Sequence, residues 1–252
     1  MYMGRIGTSV EKEILRELQG KRVLITGLTA SSGVDLARAF ADVKARLVVH
    51  TNELSPEITA LIAVLSQSTS EIKVYTDPIA TNEAAIQFAQ TAAQAYGGLD
   101  AVINFASISS DDMAELASEA DVEALVTHKL SPLAHVTRVT ANRMRVVFSE
   151  GLVLNVLCMP HLADGRQRAI ASIARATLAA MTSSEARAWA DQAVRINAIG
   201  PRVVEGGPSP SGACLTNDPD IAALALYLTS RRGKTLSGHV FDAEGLSLAA
   251  GC

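Results

Sequence analysis

The chain has 252 residues, 48% of them hydrophobic, and a formal net charge of −4. That length and apolar content suffice for one large buried core, while scattered basic residues exclude an extended nucleic-acid footprint. No apolar run approaches the roughly 20 residues of a membrane span, and three cysteines with no CxxC pair and five dispersed histidines with no HExxH spacing argue against a disulfide framework or a metal site. A cytoplasmic protein without nucleic-acid or membrane partners is the expectation.

Val10, Ile14, Leu15 and Leu18 stand at helical spacing among charged residues, so an N-terminal extension over 1–17 reads as an amphipathic helix ahead of a single domain over 18–252. Its ordinary use is to pack on its own domain. Val23 to Ile25 is a short apolar strand that runs into Thr26-Gly27, and an alanine-rich helix continues over Leu36 to Phe40. Further strands are predicted at Leu47–His50, Ile72–Tyr75, Ala101–Asn104, Leu152–Leu157, Arg195–Ile199 and His239–Asp242. Helical stretches over 82–96, 112–144 and 166–190 separate them. Repeated alternation of near-continuous apolar strands with helices predicts a doubly wound parallel sheet of Rossmann type, an α/β/α sandwich of three layers. Ligands of such sheets bind beyond the carboxyl ends of the strands, and the turn-rich segment Glu205–Pro219 follows a strand at that end. It reads as a surface loop over the site. The basic group Arg231, Arg232 and Lys234 reads as a solvated turn.

From Gly20 onward the motifs resemble those of the short-chain dehydrogenase/reductase family, in particular proteins of the 3-oxoacyl carrier-protein reductase kind. Thr26-Gly27-Leu28-Thr29-Ala30-Ser31-Ser32-Gly33 is similar to the family's TGxxxGxG turn, whose glycines let the backbone bend and approach a dinucleotide pyrophosphate at a helix N-terminus. Ser31 replaces the middle glycine. Its side chain either narrows that approach or adds a hydroxyl donor. Asp77-Pro78 matches the family's adenine-contacting Asp, and Asn104-Phe105-Ala106-Ser107 stands where the family reads NNAG. There Asn104 is expected to tie neighbouring strands and Ala106 to let a ribose lie close. Leu228-Thr229-Ser230 and Leu236 to Gly245 resemble the family's last helix and strand, so the likeness covers roughly 18–246.

The resemblance implies NAD or NADP as cofactor. His50-Thr51-Asn52 lacks the carboxylate that would accept from an NAD ribose, which leans slightly to NADP. The implied cofactor-binding residues are Gly27, Ser31, Gly33, Asp77, Asn104, Ala106, Arg175 and Pro201, with weak or absent binding expected because Ser31 and Ser107 replace glycines.

Catalysis in the family turns on a tyrosine that passes a proton to a substrate carbonyl, with a lysine nearby to lower its pKa. No tyrosine lies between Tyr96 and Tyr227, and no lysine between Lys129 and Lys234. Two anchors locate the family positions. Asn155-Val156-Leu157-Cys158 resembles the Asn-x-Ser-Ser strand end, and Arg195-Ile196-Asn197 resembles an Arg-Val-Asn strand start. Counting thirteen forward from Cys158 and twenty-four back from Arg195 both reach Ala171. The serine position is then Cys158, the tyrosine position Ala171 and the lysine position Arg175, while the family's helical asparagine falls near His128 or Lys129. Cys158 or His161 as a replacement acid is the sharp reading; a buried structural cysteine and a loop histidine form the ordinary one. After Gly200-Pro201 the segment covering the site is shorter than in most relatives.

The reading that follows is a family member without its catalytic set, a non-catalytic subunit of a homo-oligomer or of a hetero-oligomer with an intact relative. Two alternatives stand beside it. One is an NAD(P)-dependent oxidoreductase of carbonyl, hydroxy or acyl-thioester substrates with non-standard residues; the other is a nucleotide or acyl-thioester sensor.

Overall fold

The computed structural model describes residues 9–114, 116–147, 150–203, 215 and 217–244. Seven strands form one parallel sheet in the order β3-β2-β1-β4-β5-β6-β7. They are β1 Arg22–Thr26, β2 Arg46–His50, β3 Glu71–Tyr75, β4 Ala101–Ser107, β5 Gly151–Cys158, β6 Val194–Pro201 and β7 Val240–Ala243. All seven strands read from the sequence are present. The order reverses between β1 and β4, and at this switch point the crossovers on the two sides diverge and leave a crevice at the carboxyl ends.

Strand parity sorts the core into two layers. Val23, Ile25, Leu47, Val49, Leu152, Leu154, Val156 and Cys158 pack with α2 (Val34–Asp42), α3 (Pro56–Ser68) and α8 (Asp218–Thr229). Leu24, Val48, Val102, Val153 and Ile196 face the other way, toward α4 (Asn82–Ala92) and α6 (Glu119–Val146). Leu157 and Ala198 join that second face with α7 (Gly165–Trp189). Side chains alternate with period two along a strand, so apolar residues on both parities require helices on both faces.

Two helical readings need correction. The stretch 112–144 is divided into α5 (Ser110–Ala114) and α6, because the Ser118 hydroxyl accepts from Asp121 N–H while the Asp121 carboxylate accepts from Ser118 N–H. That reciprocal capping box starts a new helix where an unbroken one was expected. Helix α3 was not read at all, although Ser55 caps it and Pro56 opens its first turn, a usable start signal. Helix α1 (Ser9–Leu18) takes up the described part of the N-terminal extension and contacts α8; Leu18 is fully buried, and Glu13 and Glu17 pair with Arg232 and Arg231. It packs on its own domain. The turn Arg231–Gly233 keeps both arginines exposed, as expected of that basic group. Among the described residues no helix is long and apolar enough to cross a membrane. Residues 204–214 and 216, most of the expected Glu205–Pro219 loop, lie outside the described set, and its end is helical: Asn217 caps α8 and Asp218 and Pro219 form its first turn.

A buried polar chain stitches the switch point together. Thr26 Oγ1 donates to Asn104 Oδ1 (3.1 Å), Asn104 Nδ2 donates to Asn155 Oδ1 (2.9 Å), and Thr137 Oγ1 of α6 donates to the same oxygen (3.2 Å). Asn104, Asn155 and Thr137 are all fully buried. Asn104 thus ties β1 to β5 as the sequence implied. Truncating Asn104 to alanine leaves the Asn155 carboxamide and the Thr26 hydroxyl short of partners in a dry layer. Asn104→Ala should therefore lower unfolding free energy by about 2–3 kcal/mol in urea titration, with an unchanged m-value; a loss under about 0.5 kcal/mol would show that the network contributes nothing.

Candidate dinucleotide cleft

The turn from β1 into α2 lies on the backbone of β4. Gly27 has φ +71°, and a Cβ there would stand 2.5 Å from the Phe105 carbonyl oxygen; a Cβ at Gly33, φ +79°, would stand 3.0 Å from the Phe105 ring. Both positions require glycine for space as well as for conformation. Ser31 is exposed, with its hydroxyl 3.3 Å from Thr29 Oγ1, so this side chain is engaged within the turn.

Gly33 is the N-cap of α2 and has no side chain to satisfy the first amide groups of the helix. The Asp218 carboxylate does so from the start of α8. Its Oδ1 accepts from Gly33 N–H (3.2 Å) and its Oδ2 from Asp35 N–H (2.8 Å). Burial raises the pKa of this carboxyl above the ordinary carboxylate value, and the bonds from the Asp35 and Gly33 amides only partly oppose that. A second carboxylate reaches the same turn: Glu53 Oε2 accepts from Ala30 N–H at 2.9 Å. Sequence reading missed both residues. Glu53 lies just beyond the strand tip inspected for an acid, and Asp218 reaches the helix head from 183 to 185 residues away along the chain. The only local signal was a glycine at an N-cap, which leaves amides for some distant acceptor.

Below the turn lies a cavity of ≈ 240 Å³, lined by Thr26, Gly27, Thr29, Ser32, His50, Asn52, Asn104 through Ser107, and by His128, Lys129 and Pro132 of α6. The structure brings Gly27, Asn104 and Ala106 together here. Asp77 is exposed, and its carbonyl faces His50 Nε2 at 2.9 Å. That contact fixes the proton on Nε2, and Nδ1 is left buried without a partner among the described residues. Burial lowers the His50 pKa, against the opposing bond to the Asp77 carbonyl. Lys129 is held by Asp112 at 2.9 Å.

Of the residues that the resemblance assigns to catalysis, Cys158 and Ala171 lie in different core clusters, while Arg175 follows Ala171 by one turn of α7. Cys158 is 4% exposed in the core layer under α2, with its sulfur 3.6 Å from Ser32 Oγ. Ala171 is fully buried on the opposite face, in the cluster that holds Leu157, Met159, Ile170 and Ala174. Arg175 donates to the Pro201 carbonyl (3.0 Å) and pairs with Asp242 (2.6 Å), which binds α7 to the ends of β6 and β7. His161 is exposed on the connection after β5. Pro201 is buried at the end of β6.

A dinucleotide bound in the family manner would need its diphosphate at the head of α2, where helix amides and the helix dipole favour an anion. The donor set does not fit one. Gly33 and Asp35 already donate to Asp218, and Ala30 to Glu53.

The family model for short chain dehydrogenase matches residues 21–209. A 2-dehydro-3-deoxy-D-gluconate 5-dehydrogenase from Formosa agariphila is 27% identical over 93% of this chain and 95% of its own length. A 3-oxoacyl acyl-carrier-protein reductase from Thermotoga maritima is 23% identical over 90% of this chain and 98% of its own. Among solved structures, an NADH-dependent reductase complexed with NAD superposes with a TM-score of 0.72 at 16% identity, covering 92% of this chain and 98% of that one.

The Cys158 thiol generates a prediction of its own. Burial pushes its pKa up to about 11, against the opposing contact from Ser32. At pH 7.5 the thiolate fraction is then on the order of 100-fold below that of an unshifted thiol. Mass-spectrometric mapping after iodoacetamide treatment should find Cys158 unmodified in the native protein and modified only in denaturant. Rapid native labelling at Cys158 would revive it as an accessible acid or nucleophile.

Proposed function

The chain belongs to the short chain dehydrogenase family, and from that premise we propose that it is a non-catalytic member, a subunit that assembles with itself or with an active relative. One observation carries this reading: at the position that the resemblance assigns to the proton donor stands Ala171, a methyl group buried among apolar side chains. Hydride delivered to a carbonyl leaves an alkoxide that must be protonated, and loss of a positioned acid costs typically 10²- to 10⁴-fold in rate. Nearby groups are poor replacements. The Cys158 thiol lies on the other face of the sheet with its pKa raised, and the Arg175 guanidinium is committed to Asp242. Dinucleotide binding in this reading is weak or absent.

The assembly half of the proposal rests on the outer face of α7. Ser172, Ile173, Ala176, Thr177 and Ala180 are exposed there, and Ile173 leaves 43% of its surface in solvent. Small residues let a second helix approach closely, and an unpaired apolar side chain at the centre of such a stripe favours cover. A second reading, a nucleotide or acyl-thioester sensor, is favoured by the cavity beneath the first turn.

Purified protein given NADH or NADPH with a 3-oxoacyl thioester or a keto-sugar acid, the substrate types in the names of its relatives, should show no nucleotide oxidation above the buffer rate. Turnover that follows the protein through purification and disappears in a Cys158→Ala or His161→Ala variant would establish the oxidoreductase alternative. Light scattering at micromolar concentration should give a dimer or larger, and Ala176→Glu or Ala180→Glu should shift it to monomer or precipitate it. A stable monomer that recovers no family partner from its own cells would remove the subunit reading and leave the sensor.

A further inference from the structure

The mismatch between the donor set and a diphosphate goes beyond loss of catalysis, because it concerns what the cleft admits and involves different residues. We propose that Asp218, assisted by Glu53, is the specificity-determining residue of the cleft: its carboxylate occupies the anion position at the head of α2 and turns away ligands that carry a phosphate or diphosphate there.

Each step follows from hydrogen-bond arithmetic and charge. At the head of α2 the two oxygens of Asp218 take the amide hydrogens of Gly33 and Asp35. The preceding turn offers Ala30 N–H, and Glu53 takes it. A phosphate arriving at this place finds those three amides already used, and it meets two carboxylates of its own sign plus Asp35 in the first turn of the helix. Neither acid is readily displaced. Asp218 is anchored by its own helix, whose first residue it is, with Asn217 as cap, and Glu53 is braced by Ser55 Oγ at 2.5 Å. The position is therefore filled by an anion of the same chain.

The exclusion is selective. The cavity beneath the turn is not blocked by either carboxylate, since neither is among its lining residues. Its lining carries polar side chains, among them Thr29, Ser32, Asn52 and His128. The ligand class this leaves is uncharged and polar. A nucleoside satisfies those terms and its phosphorylated forms do not.

Calorimetric titration of the full chain with adenosine, ADP and inorganic pyrophosphate tests this against Asp218→Asn, which keeps the shape and one acceptor oxygen but removes the charge. Wild-type protein should give no measurable heat with ADP or pyrophosphate at millimolar concentration, and the variant should bind ADP at least tenfold more tightly than wild type, with Glu53→Gln adding to the gain. In amide-resolved NMR, pyrophosphate should shift the Gly33, Val34 and Asp35 signals of the variant and not those of wild type. If Asp218→Asn fails to fold, Asp218→Ser retains a short hydroxyl acceptor and serves in its place. Equal ADP affinity in wild type and folded variant would overturn the proposal, as would low-micromolar ADP binding by wild type. Adenosine binding of equal strength in both supports the selective form, and absence of adenosine binding in both removes the nucleoside from it. None of these outcomes depends on turnover, so the proposal stands or falls apart from the non-catalytic reading.

Discussion

The contact on which the cleft depends is the seat of the first β-α turn on β4. With only 2.5 Å available between a Cβ at residue 27 and the Phe105 carbonyl, the turn can lie there only as glycine backbone. That seat fixes the direction in which α2 leaves the sheet. It also brings the leading amides of α2 within reach of α8, which packs along α2 on the same face. The Phe105 ring under Gly33 completes the seat with an apolar surface where the family motif has a polar residue.

Once the helix head is aimed, something must satisfy it. An N-cap glycine contributes no acceptor, and buried unpaired amides cost roughly 1–3 kcal/mol each. A bound anion meets that need when a ligand is present. Here a carboxylate of the chain itself meets it for Gly33 and Asp35, and couples α8 to α2 through charge-assisted bonds as well as through apolar packing. The same scaffold thus keeps the shape of a nucleotide fold with its anion position internally satisfied.

Strand parity has an equally direct effect on the catalytic positions. Cys158 shares its face of β5 with Val156 and Leu154, while Leu157 turns to the α7 side. A thiol directed under α2 and a methyl directed into the α6–α7 layer are separated by the thickness of the sheet. Arg175 joins α7 to the ends of β6 and β7 through Pro201 and Asp242. A partly exposed pair of that kind contributes no more than about 1 kcal/mol. Arg175 does not line the cavity beneath the turn.

The sequence determined the sheet almost completely. All seven strands were legible because apolar residues on both parities, bounded by turn formers, have few other uses. Gly27, Gly33 and Asn104 were legible as well, since a tight turn and a cross-strand amide are demands that particular residue types answer locally. So was the absence of a phenol at 171. The break at Ser118 and the helix after Ser55 were written in capping residues and went unread, because helical periodicity carries on past a cap. What only the tertiary structure decided is who stands at the head of α2. Hydrogen bonds between Asp218 and amides more than 180 positions earlier in the chain leave no periodic or local trace, for a carboxylate at the start of one helix looks like an ordinary first-turn acid until packing brings another helix against it.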